Sequence, residues 1–116
     1  MKKILLTGST GFIGSELLKR FSKNYQIYVI IRKKNFAYYK NKNINIIYFK
    51  DYKKLNDKLK KISVDIVIHC ATHYVKYHRF RDIKKLSDSN ILFGNVILEN
   101  LSTLKVKKFI NFSTVW

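Results

Sequence analysis

A chain of 116 residues is the length of one domain and buries about two thirds of its unfolded surface, enough for a single modest core. Its composition, 47% hydrophobic and 15% aromatic, excludes a disordered chain. The absence of any apolar run near ~20 residues leaves no membrane expected as a partner, and the single cysteine, Cys70, excludes an internal disulfide and fits a reducing cytoplasm. The 24 Lys and Arg against seven Asp and Glu give a net charge of +17. That balance suggests polyanion binding, but the lysines are scattered among asparagines, as in Lys33-Lys34-Asn35 and Asn41-Lys42-Asn43. The pattern reads as compositional bias rather than a nucleic-acid patch, and a phosphorylated nucleotide would gain from the same field.

From the N-terminus, which enters a strand at once and so suggests no signal peptide, Lys3–Thr7 reads as a short buried strand. Residues 12–21 read as a helix with Phe12, Ile13, Leu17, Leu18 and Phe21 on one apolar stripe. Between them lie three of the four glycines, Gly8, Gly11 and Gly14. In a chain so poor in glycine, this spacing marks a place where geometry demands it. A strand, a G-x-x-G-x-x-G bend and a helix are the parts of a dinucleotide-binding site. Gly8 would let the chain turn, Gly11 would let a pyrophosphate approach the main chain, and Gly14 would let helix and strand lie close. The unpaired first-turn amides and the helix dipole would favour the anion.

Further along, residues 26–31 form a second expected strand, rich in Ile, Val and Tyr. Residues 32–43 are polar and aromatic, a loop with a helical turn, and 44–49 make a third strand. Residues 52–62 carry Leu55, Leu59 and Ile62 at helical spacing. Residues 64–70 form a continuous apolar strand of the kind buried on both faces. Residues 82–104 predict one long helix with Ile83, Leu86, Asn90, Ile91, Val96, Ile97, Leu98 and Leu101 inward, and 108–112 a fifth strand. With no proline, linker or repeat to mark a boundary, the alternation predicts a single α/β domain. Its fold is a Rossmann-type, doubly wound parallel sheet of about five strands in the order 3-2-1-4-5.

Four segments then resemble, in order, the extended short-chain dehydrogenase/reductases, the family of NAD(P)-dependent sugar-nucleotide epimerases and dehydratases. Thr7-Gly8-Ser9-Thr10-Gly11-Phe12-Ile13-Gly14 is similar to its opening signature. Asp65-Ile66-Val67-Ile68-His69-Cys70-Ala71-Thr72 is similar to its fourth strand. Residues 90–101 resemble its long fourth helix, and Lys108-Phe109-Ile110-Asn111-Phe112-Ser113-Thr114-Val115-Trp116 its fifth strand and Ser/Thr catalytic segment. The run around His69 and Thr72 and the Thr-Val-Trp ending lean toward the CDP-abequose and CDP-paratose synthase-like branch.

The resemblance implies that Gly8, Gly11 and Gly14, with amides of Phe12 and Ile13, hold the pyrophosphate. It places Asp51 and Tyr52 at the adenine, Asp51 being otherwise an exposed loop carboxylate. It sets Ala71 and Thr72 on the nicotinamide-ribose side, and Thr114, beside Ser113, at the reacting sugar oxygen. The end of the second strand, usually acidic, is Arg32 followed by Lys33. That substitution implies NADP in preference to NAD, unless these are ordinary solvated cations. No metal is implied: His69 and Cys70 point to opposite faces of a strand, so these two with His73 and His78 are not expected to hold zinc.

The family also uses a Tyr-x-x-x-Lys pair on the helix after the fifth strand. The match in this chain, Tyr38 and Lys42, falls in the loop after the second strand and reads as chance. The chain is therefore expected to be the N-terminal part of a longer enzyme on a nucleotide sugar, truncated after the fifth strand and inactive alone. The family's dimer helices include one beyond Trp116, so a homodimer is expected of the parent rather than of this chain. Two other readings stay open: a non-catalytic NADP-binding module, and a basic polyanion-binding protein.

Overall fold

The computed structural model describes residues 1–32, 41–72 and 77–112. Five parallel strands form one sheet in the order β3-β2-β1-β4-β5, the arrangement that the alternation predicts. The strands are β1 (Lys3–Thr7), β2 (Gln26–Ile31), β3 (Ile44–Tyr48), β4 (Ile66–His69) and β5 (Lys108–Asn111). β1 pairs with β2 on one side, Ile4 opposite Ile27, and with β4 on the other, Ile4 opposite Ile66. The strand order thus reverses direction at β1, the topology that leaves a crevice beyond the carboxyl ends of the two strands at the reversal, here β1 and β4. In open α/β sheets that is where ligands bind.

Alternation along the strands builds two apolar clusters on opposite faces. Ile4, Leu6, Ile27, Val29, Ile31 and Ile68 meet Leu18 of helix α1 (Phe12–Phe21). Leu5, Ile30, Ile47 and Val67 meet Leu55 and Leu59 of α2 (Tyr52–Leu59) and Phe93 and Ile97 of α4 (Phe93–Glu99). Asp51 caps α2, its carboxylate accepting from the Lys54 amide at 2.9 Å.

Two helix readings are corrected. In α1 the buried residues are Gly14 and Leu18. Leu17 and Phe21 pack partly against them, while Phe12 and Ile13 stand outside the apolar stripe, Phe12 being 94% exposed. Both belong to the first turn, where the chain has just left β1 and the glycine bend. The long helix over 82–104 is a composite arm. A 3-10 turn (Phe80–Asp82) leads into α3 (Ile83–Ser87), a π turn (Asp88–Leu92) and α4. The wider π turn shifts the phase of the helix after it. Ile83 ahead of that turn, Asn90 and Ile91 within it and Leu98 beyond it are exposed, and Phe93, Ile97, Asn100 and Leu104 reach inward. Asn100 ends α4, and its buried amide donates to Asn56 Oδ1 at 2.7 Å and to the Val96 carbonyl at 2.8 Å.

Candidate functional site

The glycine bend between β1 and α1 closes with a hydrogen bond from the Gly11 amide to the Gly8 carbonyl, 3.0 Å. The three glycines are there for different reasons. Gly8 has φ +73°, and a Cβ on it would lie 2.7 Å from the Ala71 nitrogen. Gly14 packs so closely on the bend that a Cβ would fall 1.8 Å from the Gly8 carbonyl oxygen. Gly11 meets neither limit. Its φ of −79° and ψ of 175° suit any residue, and a Cβ would make only ordinary contact, 3.4 Å from the Gly8 oxygen. Gly11 is also the N-cap of α1 and offers no side chain to the first-turn amides. Those donors have no partner within the helix.

Across the crevice, the Thr7 side chain fastens the end of β1 to the end of β4. Its fully buried hydroxyl accepts from the Cys70 and Ala71 amides, 3.1 Å each. Its own proton is left to donate to His69 Nδ1 at 2.6 Å, so the proton of neutral His69 sits on Nε2. Burial lowers the His69 pKa from 6.5. Protonating Nδ1 would also set a second donor against the Thr7 hydroxyl. With a depressed folded-state pKa, the unfolded chain binds the extra proton more readily, so stability rises with pH through this window. The contribution is complete above the unfolded value of about 6.5 and is lost as pH falls through the folded one. Thermal melts from pH 7.5 down to about 5 should show Tm falling on acidification, and His69→Gln should flatten that slope. An identical slope in the variant would remove His69 as its source.

At the far end of the crevice, Arg32 follows β2. Its guanidinium donates to the Asp88 carboxylate at 2.5 Å and to the Tyr52 hydroxyl. It lies 5.3 Å from the ring centroids of Phe49 and Tyr52 and 5.5 Å from that of Phe93. Tyr52 in turn donates to the Asp88 carbonyl at 3.1 Å. The Arg32 hydrogen bond holds the Asp88 carboxyl below the usual range, and burial, with Asp88 beside it, raises the Tyr52 phenol. The sequence suggests a free cation at Arg32; the structure shows a paired one.

The bend thus gathers Gly8, Gly11, Phe12, Ile13 and Gly14 beside Ala71. Arg32 and Tyr52 meet at one end, and Asp51, next to Tyr52 in sequence, is a helix cap. Thr72 bonds through its hydroxyl to Asn90 Oδ1, 3.1 Å. Lys33, His73, Ser113 and Thr114 lie outside the described residues, as does Tyr38. Among the described residues no three His, Cys, Asp or Glu side chains gather where a metal could sit, and no helix is long and apolar enough to cross a membrane. Sequence reasoning missed Thr7 as a fastener, and also Phe93 and Asp88. The spacing of 93, 97, 100 and 104 carried a signal for Phe93; nothing local pointed to Asp88.

Comparison with known proteins agrees with this geometry. The sequence model of the NAD dependent epimerase/dehydratase family matches residues 4–116, and the chain belongs to that family. It is 34% identical to a dTDP-D-glucose 4,6-dehydratase of Dictyostelium discoideum, the match covering 98% of this chain and 29% of that protein. It is 31% identical to a CDP-abequose synthase of Yersinia pseudotuberculosis, covering 98% and 40%. Among solved structures, a UDP-glucuronic acid 4-epimerase of Bacillus cereus in complex with NAD superposes with a TM-score of 0.79 at 30% identity, over 97% of this chain and 40% of that one. The chain therefore spans between 29% and 40% of the length of these relatives.

Proposed function

We propose that this chain is the cofactor-binding part of an NAD(P)-dependent enzyme that acts on a nucleotide sugar. Gly11 carries the reading. The fold explains Gly8 and Gly14 by close approach and positive φ, whereas nothing among the described residues needs position 11 to lack a side chain. The space that a Cβ would enter lies at the mouth of α1, beside first-turn amides, where a diphosphate fits. Gly8, Gly11 and Gly14 with the Phe12 and Ile13 amides would hold that group. Asp51, Tyr52 and Arg32 would flank the adenosine, and Ala71 and Thr72 the nicotinamide ribose. By resemblance, Ser113 and Thr114 would orient the reacting sugar oxygen. β2 leads into Arg32 where the family usually places an acid, which supports NADP over NAD.

Bound nicotinamide would supply hydride exchange with a sugar carbon. The chain's own part is to fix the diphosphate on main-chain amides and to keep the ends of β1 and β4 in register through Thr7. The proposal concerns binding rather than turnover by these 116 residues, because the Tyr-x-x-x-Lys pair of the resemblance is met here only at Tyr38 and Lys42. Isothermal titration of the chain with NADPH and with NADH tests it. Micromolar binding of at least one is expected. No binding of either at millimolar concentration would end this reading.

A further inference from the structure

We propose that Asp88, acting through Arg32, sets how strongly this chain discriminates between a cofactor with a ribose 2′-phosphate and one with a free 2′-hydroxyl. The inference rests on the dinucleotide reading above. Arg32 is the one described cation at the end of β2, and both arms of its guanidinium fork are already engaged. One donates to the Asp88 carboxylate, the other to the Tyr52 hydroxyl, while the plane lies against Phe49, Tyr52 and Phe93. Tyr52 closes the ring by donating to the Asp88 carbonyl. Recognition of a phosphate by arginine is strongest when the fork is free to bind two oxygens at once. Here a 2′-phosphate would have to displace Asp88 from that fork, and would do so beside a carboxylate that repels it.

The pair is open to such competition. The Arg32 and Asp88 side chains are 44% and 31% exposed, so water and salt weaken their attraction. The aromatic rings keep the guanidinium at the crevice end when its partner changes. Asp88 opens the π turn, and no acid beside Arg32 in sequence could take this place: the neutralising charge arrives from a segment 56 residues away. A free 2′-hydroxyl asks nothing of the fork and loses nothing to the pair. Asp88 therefore acts on one cofactor and spares the other.

The test is titration of the 116-residue chain with NADPH and NADH in the wild type, in Asp88→Asn, and in Asp88→Asn combined with Arg32→Met. The single substitution keeps the shape of the side chain and removes its charge. NADPH affinity should rise about tenfold, the scale of one charge-assisted contact, with NADH changed by less than about twofold, and the gain should vanish in the double variant. An unchanged NADPH-to-NADH ratio in Asp88→Asn, with both cofactors bound, overturns the role of Asp88. A gain that persists without Arg32 overturns the route through the guanidinium. Binding of neither cofactor by any of the three proteins removes the dinucleotide reading itself, and this inference with it.

Discussion

Gly11→Leu should leave the protein folded and lower cofactor affinity about a hundredfold. The backbone at Gly11 is extended, with φ −79° and ψ 175°, so leucine adopts it without strain. Among the described residues the nearest atom to a new Cβ is the Gly8 oxygen at 3.4 Å. Leucine is a poorer N-cap than glycine, which costs up to about 1 kcal/mol and lowers Tm by about 4–8 °C in a domain of this size. The ligand meets a different situation. A leucine side chain at the mouth of α1 keeps a diphosphate from the first-turn amides. Hydrogen bonds to a charged group are worth about 1.5–3 kcal/mol each, and losing one of them gives roughly ten- to 150-fold. Gly11→Ala should show the same effect in smaller measure. Paired melts and titrations check both, and undiminished affinity in the folded leucine variant would sink the assignment.

Gly14→Ala should do the reverse and strike stability first. Alanine is the better helix former by about 1 kcal/mol, so an open site would gain. Here the added methyl would lie 1.8 Å from the Gly8 carbonyl oxygen and 3.1 Å from Ser9 Cα, both of them backbone. No side chain can swing away, so α1 or the bend must move. Overpacking costs about 1–3 kcal/mol and sometimes more, and backbone against backbone belongs at the upper end. Against a net stability of ~5–15 kcal/mol, a loss of about 3 kcal/mol lowers Tm by on the order of 15 °C. A melting temperature equal to the wild type would show that the close approach of α1 to the bend is not needed. Together the two substitutions separate a glycine kept for the ligand from one kept for the fold.

Much of the architecture was legible because β1 and β2 are short, nearly continuous apolar runs and α2 carries one dominant period. The apolar runs at residues 3–7 and 26–31 fall on the strands as expected, and Leu55 and Leu59 fall inside. The arm after β4 was not legible in the same way. A phase read from Ile83 and Ile91 does not foresee a π turn, and the residue after that turn, Phe93, stacks on Phe49 at 5.9 Å, beside His69, a contact that local spacing does not encode. Phe12 misled for a related reason. Apolar character at the first turn of a helix says nothing about whether sheet or crevice lies beneath it. The glycine bend was readable because its demands are local. The Arg32–Asp88 pair was not, because its partners are far apart in sequence.

The position of β1 in mid-sheet constrains how the molecule comes together. β2 and β3 come soon after it in the chain, yet its other edge stays bare until Ile66–His69 has been made and docked. Until then Thr7 has no amides to receive and the turn at Gly8 has nothing to press against. Pairings so distant in sequence close slowly, and an uncovered edge strand invites the wrong partner. The nascent chain thus holds an adhesive, half-finished sheet until β4 has been made, and the crevice between its two halves takes shape only then.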